Sequence, residues 1–329
     1  MRQHLIFALF VLILIGLVGF LIEFVLLPNN RHLPRDTYLM GWVGYPYNHI
    51  DDTDLNSIGL TGDTPETHLS ADTVRILTLG GSAIFNRRFT ERFKQALSLR
   101  TNHPVEVVGA AYRGHTTRSS VIKHDFFSPG FRFDYLIFYH GINDTWANNV
   151  DPGEFQADYR HLDAWYRRNW ILDNSILARD LYNRFFYRKP ERKEGKSAFK
   201  SVESFRTNLE HIVRRALDHG TVPILVTFAT CVPETYTLKR FLAGEAGYNN
   251  PERYDPQPIE GWGPKNLVLQ GIRKHNRVTQ EVAVKFGVPL LDASVVFGSD
   301  PFDFGDVCHF SEPGTDRFAG LLAGFSFRN

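Results

Sequence analysis

The sequence has almost no net charge and very little cysteine. Its 37 Lys and Arg side chains nearly balance 36 Asp and Glu side chains, so the formal net charge is +1 and a general nucleic-acid surface is not expected. Two cysteines in 329 residues exclude a disulfide framework but allow one bridge. The chain also lacks a Gly-rich phosphate loop, a C-x-x-C motif and internal repeats. A P-loop nucleotide-binding protein, a protein built on a C-x-x-C motif and a repeat protein are therefore not expected.

A long apolar segment begins near the N-terminus. Residues 5–22 are only Leu, Ile, Phe, Ala, Val and Gly, and residues 24–27 continue the run beyond Glu23. Together they are long enough for a bilayer core of about 30 Å. A cleavable signal peptide is the alternative, but no small-residue cleavage site of the A-x-A type follows. The sequence therefore predicts a single-pass anchor at residues 1–28. The flanking positive charges do not decide its orientation.

Three short motifs follow apolar runs that predict buried strands. Gly80-Gly81-Ser82 follows residues 74–79, a segment containing Gly114 follows residues 105–108, and Gly141-Ile142-Asn143-Asp144 follows residues 135–139. In open α/β sheets, binding sites form beyond the carboxyl ends of the strands. A fourth motif, Asp306-Val307-Cys308-His309, lies near the C-terminus. An acid three residues before a His can hold the imidazole ring from within the same loop.

The residue types in these motifs are those that acyl transfer requires. A serine hydroxyl is a poor nucleophile until a base takes its proton, and His is neutral near pH 7 and can do so. The His needs an acid to fix its tautomer and stabilise the imidazolium. The tetrahedral intermediate needs N–H donors, which an Asn amide and a Gly backbone can supply. Alone, Gly80-Gly81-Ser82 would predict a helix cap, and Asn143 a loop, but the four motifs in order favour catalysis.

In these motifs the sequence resembles the SGNH hydrolases, also called the GDSL esterase/lipase family, from about residue 56 to the C-terminus. The resemblance implies Ser82 as nucleophile, His309 as general base and Asp306 as its orienting acid. It also implies an oxyanion hole formed by the backbone N–H groups of Ser82 and Gly114 and by the side-chain amide of Asn143. The expected mechanism is ping-pong through an acyl-enzyme, without a metal or organic cofactor.

Two positions depart from the family pattern, and two histidines adjoin the motifs. Gly81 stands where many members have Asp, and Ala111 stands where Gly is frequent. His115 and His140 either line the pocket or pack in the core. The helix expected after Ser82 would add the positive end of its dipole to the site.

Alternation of strands and helices predicts a three-layer α/β/α sandwich with a five-stranded parallel sheet, in agreement with the flavodoxin-like sheet that the resemblance implies. The fourth and fifth strands are expected at residues 222–228 and 288–291. Residues 29–72 are expected to form a tether and an irregular lead-in, and residues 73–329 the hydrolase domain. Insertions are expected near residues 165–200 and 234–263, and the second adjoins the predicted site.

The sequence thus predicts a membrane-anchored serine esterase of O-acyl esters, with an acylated glycan or lipid as substrate. The alternatives are an O-acyltransferase acting on a cell-envelope polysaccharide and an inactive binding or assembly protein on the same fold. Because the family often acts on envelope and extracellular esters, the catalytic domain is expected outside the cytoplasm. Cys231 and Cys308 are expected at the same rim of the sheet, where they either form a disulfide or stay buried as free thiols.

Overall fold

The computed structural model describes residues 2–21, 60–64, 72–85, 87–162, 185, 195–196, 199–249, 256–298, 300–325 and 327. The chain divides into two compact units. One comprises Met1–Ile50 and Asp163–Glu191, and within it helix α1 spans Arg2–Leu21. The other comprises Asp51–Leu162 and Arg192–Asn329, and it contains the β-sheet and all four predicted motifs.

The predicted transmembrane helix is not confirmed. Among the described residues, no helix is long and apolar enough to cross a membrane. Helix α1 is described to Leu21, whereas residues 24–27, which complete the predicted span, lie outside the described part of the chain. Most of the predicted tether and of the first predicted insertion lies outside it as well.

Among the described residues, the second unit contains a mixed sheet of six strands in the order β1-β3-β2-β4-β5-β6. The strands are β1 (Thr61–Gly62), β2 (Val74–Gly80), β3 (Val105–Gly109), β4 (Tyr135–Tyr139), β5 (Val222–Val226) and β6 (Leu290–Leu291). Strands β2 to β6 run parallel, and β1 pairs antiparallel with β3. The prediction of a five-stranded, wholly parallel sheet was therefore wrong at one edge, because β1 has only two residues and carries no apolar pattern of its own.

The helices of this unit follow the strands along the chain. They are α2 (Arg87–Ser98), α3 (Thr117–Phe127), α4 (Ile142–Thr145), α5 (Ser201–Asp218), α6 (Leu238–Leu242), α7 (Lys265–Phe286), α8 (Ala293–Val296) and α9 (Glu312–Leu322). Helix α2 packs against α9, whereas α5 packs against α3 and α7.

Alternate side chains of the central strands enter two hydrophobic cores, one on each face of the sheet. Ile76 of β2 lies in the core that includes Phe89 of α2 and Phe318 of α9. Leu77, the next residue, lies in the core that includes Phe205 of α5 and Val282 of α7. A sheet covered on both faces explains why its strands are continuous apolar runs.

Strand order positions the site. The chain leaves β2 through α2 to reach β3, then crosses through α3 on the other face to reach β4 on the opposite side of β2. The carboxyl ends of β2 and β4 therefore meet at a topological switch point, where ligands bind in open α/β sheets. Ser82 follows β2 and Asn143 follows β4.

Of the two alternatives for Cys231 and Cys308, the structure shows buried free thiols and no disulfide. Their loops do meet, because the Cys231 N–H donates to the Val307 carbonyl at 3.0 Å. The Cys308 thiol, however, lies 3.6 Å from His309 Nδ1. Burial, with the negative charge of Asp306, raises the pKa of this thiol, so it stays protonated as a buried apolar group.

Candidate active site

The structure brings the predicted nucleophile and base together, although 227 positions separate them along the chain. Ser82 Oγ lies 2.8 Å from His309 Nε2, within hydrogen-bond distance. Ser82 opens a single 3-10 turn, Ser82–Ile84, directly after β2. Its position is fixed by β2, which is buried along its whole length between β3 and β4.

The expected helix does not start at Ser82. Helix α2 begins at Arg87, five residues further on, and the turn at Ser82–Ile84 has only three residues. The dipole of a helix acts mainly within its first turn, so a contribution of α2 at Ser82 stays a prediction.

The Asp306 carboxylate accepts four hydrogen bonds. Oδ2 accepts from His309 Nδ1–H at 2.7 Å and from the Gln257 N–H at 2.9 Å, while Oδ1 accepts from the N–H groups of Cys308 at 2.9 Å and His309 at 2.8 Å. Burial raises the pKa of Asp306, but the charge of His309 and these hydrogen bonds outweigh burial and hold the pKa below its usual value. The ionised carboxylate keeps the proton on Nδ1 and leaves Nε2 to accept from Ser82.

Neighbouring segments hold the loop that carries Asp306 and His309. Phe304 and Phe310 pair across its base, and the Gly305 N–H donates to the His309 carbonyl at 2.8 Å. The Val307 carbonyl accepts from Thr230 Oγ1 at 2.7 Å, as well as from the Cys231 N–H, just beyond β5. The loop is thus fixed to the carboxyl end of the sheet, where Ser82 lies.

The Asn143 side chain is held at both ends of its amide. Its Nδ2 donates to the His115 carbonyl at 2.9 Å, and its Oδ1 accepts from the indole N–H of Trp262 at 2.9 Å. An amide nitrogen has two N–H groups, so one remains available for a substrate oxygen. Sequence reasoning predicted the role of Asn143 but missed Trp262, which lies in the second insertion and has no local signal.

The other predicted donor, Gly114, lies in the loop between β3 and α3 with φ of 72°, a conformation that favours glycine. His115, the next residue, supplies the carbonyl that accepts from Asn143. The structure therefore links the loop of Gly114 directly to the side chain of Asn143. The oxyanion-hole roles of Gly114, Asn143 and the Ser82 N–H stay predictions.

A second link joins the same two loops through Asp144, a residue to which sequence reasoning gave no role. Its carboxylate accepts from the Thr117 N–H at 3.1 Å and from Thr117 Oγ1 at 2.5 Å, at the start of α3. Thr116, the N-cap residue of α3, makes no side-chain cap. Burial raises the pKa of Asp144 to about 7, against the opposing effect of the Thr117 hydrogen bonds. Asp144 thus caps α3 from outside the helix.

The two histidines beside the motifs are both buried. His140 Nε2 lies 2.7 Å from Ser120 Oγ, and burial together with the charge of Lys123 lowers the pKa of His140 to about 3. His115 packs its ring against Tyr112, with ring centroids 5.2 Å apart. His140 is therefore a neutral core residue, although it also borders a small cavity beside the nucleophile.

That cavity has a volume of about 10 Å³, roughly the space that one water needs. The residues that line it come from the ends of β2, β4 and β5: Gly81, Ser82, Ala83, His140, Gly141, Ile142, Asn143 and Phe228.

Asp306, Cys308 and His309 offer potential metal-ligand atoms within 4.8 Å of one another. Two of these atoms, Asp306 Oδ2 and His309 Nδ1, are already hydrogen bonded to each other. The Cys308 thiol has a raised pKa, whereas a metal ligand must be a thiolate. The arrangement therefore fits proton transfer between Ser82 and His309 better than it fits a metal ion.

A nucleophile, a base and an orienting acid in hydrogen-bonded sequence define the class of serine hydrolases. A sequence profile of the GDSL-like lipase/acylhydrolase family matches residues 77–317. The chain therefore belongs to this family, and it is a hydrolase of ester bonds. Among curated proteins, no match to this sequence was found.

Solved structures similar to this chain come from several bacteria. A lipase/acylhydrolase from Enterococcus faecalis has 17% identity and a TM-score of 0.42, over 76% of this chain and 94% of that chain. A GDSL-like lipase from Bacteroides thetaiotaomicron has 11% identity and a TM-score of 0.42, over 76% of this chain and 85% of that chain. A catalytic mutant of an acetylxylan esterase from Geobacillus stearothermophilus has 14% identity and a TM-score of 0.43, over 79% of this chain and 98% of that chain.

The absence of a side chain at Gly81 gives a testable prediction. A Cβ at this position would lie 2.5 Å from Asn143 Nδ2 and 3.3 Å from the His115 carbonyl oxygen. We expect Gly81→Ala to displace the Asn143 amide and to lower kcat by up to the roughly 10²–10³-fold that loss of one oxyanion donor costs. Kinetics on a chromogenic ester measure this. Gly320→Ala is the control, since a Cβ there meets no atom within 4 Å. Unchanged kcat in folded Gly81→Ala would contradict the prediction.

Proposed function

We propose that this protein is a serine esterase that hydrolyses O-acyl esters through an acyl-enzyme on Ser82. The observation that carries the proposal is the continuous hydrogen-bonded path from Ser82 Oγ through His309 to Asp306. Formation of that path requires two parts of the chain, 227 positions apart, to meet at one end of the sheet. An inactive binding protein on this fold would need neither the path nor the four donors around the Asp306 carboxylate.

In the first half of the reaction, Ser82 Oγ attacks the ester carbonyl carbon while its proton passes to His309 Nε2. The carbonyl oxygen becomes an oxyanion that accepts from Asn143 Nδ2–H and from the N–H groups of Ser82 and Gly114. Collapse of the tetrahedral intermediate breaks the bond to the leaving alcohol, which takes the proton from His309. The acyl group is then esterified to Ser82.

In the second half, His309 takes a proton from water, and the hydroxide attacks the acyl carbon. Collapse releases the acid and returns the proton to Ser82 Oγ. A sugar hydroxyl in place of water would give the O-acyltransferase reaction by the same steps. Addition of a sugar acceptor to the assay separates the two outcomes, because only a transferase forms an acylated sugar.

The nucleophile itself provides the decisive test. We expect Ser82→Ala to lower kcat/KM for a p-nitrophenyl ester by about 10⁴–10⁶-fold and to abolish labelling by a fluorophosphonate. Asn143→Ala should lose roughly 10²–10³-fold, since it removes one donor and leaves the nucleophile. Ser98→Ala, an exposed serine at the end of α2, is the matched control. Labelling that persists in Ser82→Ala would show that another residue is the nucleophile.

We propose that the acyl group is short, such as acetyl, because the cavity beside Ser82 is small. Its volume of about 10 Å³ is roughly that of one water, and Phe228 closes one side against Gly141, so a long acyl chain would have to lie outside it. A methylene that fits or fails to fit a pocket changes specificity by about 10- to 200-fold. We therefore expect kcat/KM to fall at least about 10-fold from p-nitrophenyl acetate to butyrate to octanoate. A rise towards octanoate would instead indicate a lipase with a binding surface for long chains.

The proposal includes a membrane anchor with an extracytoplasmic catalytic domain, supported by the sequence of residues 5–22 and by the family's frequent use of envelope esters. We expect protease added to intact spheroplasts to degrade the hydrolase unit while a cytoplasmic marker protein survives. The fractionated full-length chain should remain with the membranes after a high-salt wash. Protection of the unit until the cells are lysed would place it in the cytoplasm and contradict this part of the proposal.

A further inference from the structure

The second insertion, residues 234–263, contacts two separate parts of the candidate site. The indole N–H of Trp262 donates to Asn143 Oδ1 at 2.9 Å, and the backbone N–H of Gln257 donates to Asp306 Oδ2 at 2.9 Å. Asn143 belongs to the predicted oxyanion hole, whereas Asp306 orients the predicted base. The second insertion therefore forms hydrogen bonds both with the predicted oxyanion hole and with the acid that orients the predicted base.

Trp262 is fixed in place by its own neighbours. Only 5% of its surface is exposed, and its ring stacks on Trp146 with centroids 6.2 Å apart. The indole N–H of Trp146 donates to the Gly261 carbonyl at 2.8 Å, and Asn149 Nδ2 donates to the Trp262 carbonyl at 2.8 Å. These two hydrogen bonds hold the backbone at Gly261 and Trp262. They therefore fix the position from which the Trp262 indole N–H reaches Asn143.

The chemistry of these contacts selects one orientation of the Asn143 amide. An indole N–H can only donate, so it binds the amide oxygen and not the amide nitrogen. The His115 carbonyl can only accept, so it binds the amide nitrogen. A flipped amide would lose both hydrogen bonds and would turn its oxygen towards a developing oxyanion, which is repulsive. The orientation in the structure presents an N–H instead.

We propose that Trp262 is a positioning residue for the oxyanion hole, through which the end of the second insertion, residues 256–263, takes part in the catalytic site. The inference deepens the proposed function and rests on it. Trp262 does not touch the reacting atoms and acts only through Asn143. Its contribution therefore belongs to the transition state and should appear in kcat more than in KM.

Trp262→Phe tests this, because it keeps an aromatic ring against Trp146 and removes the N–H. We expect kcat to fall by about 10- to 10²-fold, less than in Asn143→Ala, with KM changed by less than about threefold. In the Asn143→Ala background, the same substitution should cost less than about twofold, because the side chain that it orients is absent. A loss of equal size in both backgrounds would overturn the proposal.

Two further variants separate positioning from general loosening. Tyr248→Phe removes a hydroxyl in the same insertion that donates to the Cys231 carbonyl at 2.7 Å, and we expect kcat to stay unchanged. An equal fall of kcat in Tyr248→Phe would show a merely structural effect and overturn the proposal. If Trp262→Phe fails to fold, incorporation of 3-benzothienylalanine at position 262 replaces only the ring N–H by sulfur and should give the same fall in kcat.

The positioning role of Trp262 and the proposed esterase function can be disproved separately. If the wild-type protein hydrolyses esters and labels at Ser82 but kcat is unaffected by removal of the Trp262 N–H, only the positioning role is wrong. If the wild-type protein neither hydrolyses esters nor labels at Ser82, the proposed function is wrong and the positioning role falls with it.

Discussion

The geometry of the candidate site depends on the buried carboxylate of Asp306. Removal of a carboxylate from water costs several kcal/mol, and only close donors and opposite charge offset that cost. Three of its four donors are backbone N–H groups, which cannot rotate away as side chains can. The fourth is the ring N–H of His309. The need to satisfy one charge therefore fixes the loop of residues 306–309, the tautomer of the base and the end of the second insertion.

Asn143 and Asp144 are consecutive residues with opposite tasks. The Asn143 amide nitrogen lies near Gly81 and has a second N–H for the predicted oxyanion hole, whereas the Asp144 carboxyl group accepts from the N–H and the hydroxyl of Thr117 at the start of α3. A carboxyl group suits a helix N-terminus, because its oxygens accept from N–H groups that have no partner within the helix. A neutral amide suits an oxyanion hole, because a carboxylate there would repel the intermediate. Asn143 binds the segment between β3 and α3, and Asp144 binds the first residue of α3, so hydrogen bonds connect the loop after β4 to the loop of Gly114.

The central strands and the meeting of Ser82 with His309 could be predicted because both leave local signals. Strands covered on both faces are short apolar runs, and a catalytic motif placed just after such a run has its position fixed by the sheet. Strand β1 has only two residues and forms by pairing with β3, so no local sequence pattern predicts it. The hydrogen bond between Trp262 and Asn143 joins residues 119 positions apart, so no local pattern predicts it. Whether Cys231 and Cys308 form a disulfide likewise depends on how distant segments pack.

Gly81 and the second insertion constrain the same side chain from different directions. Many family members have Asp at the position of Gly81, but here a Cβ would lie within 2.5 Å of Asn143 Nδ2. Trp262 holds the opposite end of that amide, and His115 holds the nitrogen, so Asn143 cannot retreat without loss of two hydrogen bonds. In a close-packed interior, one of two neighbours must be small when the other cannot move. The departure from the family motif at Gly81 is therefore consistent with an amide that the insertion holds in place.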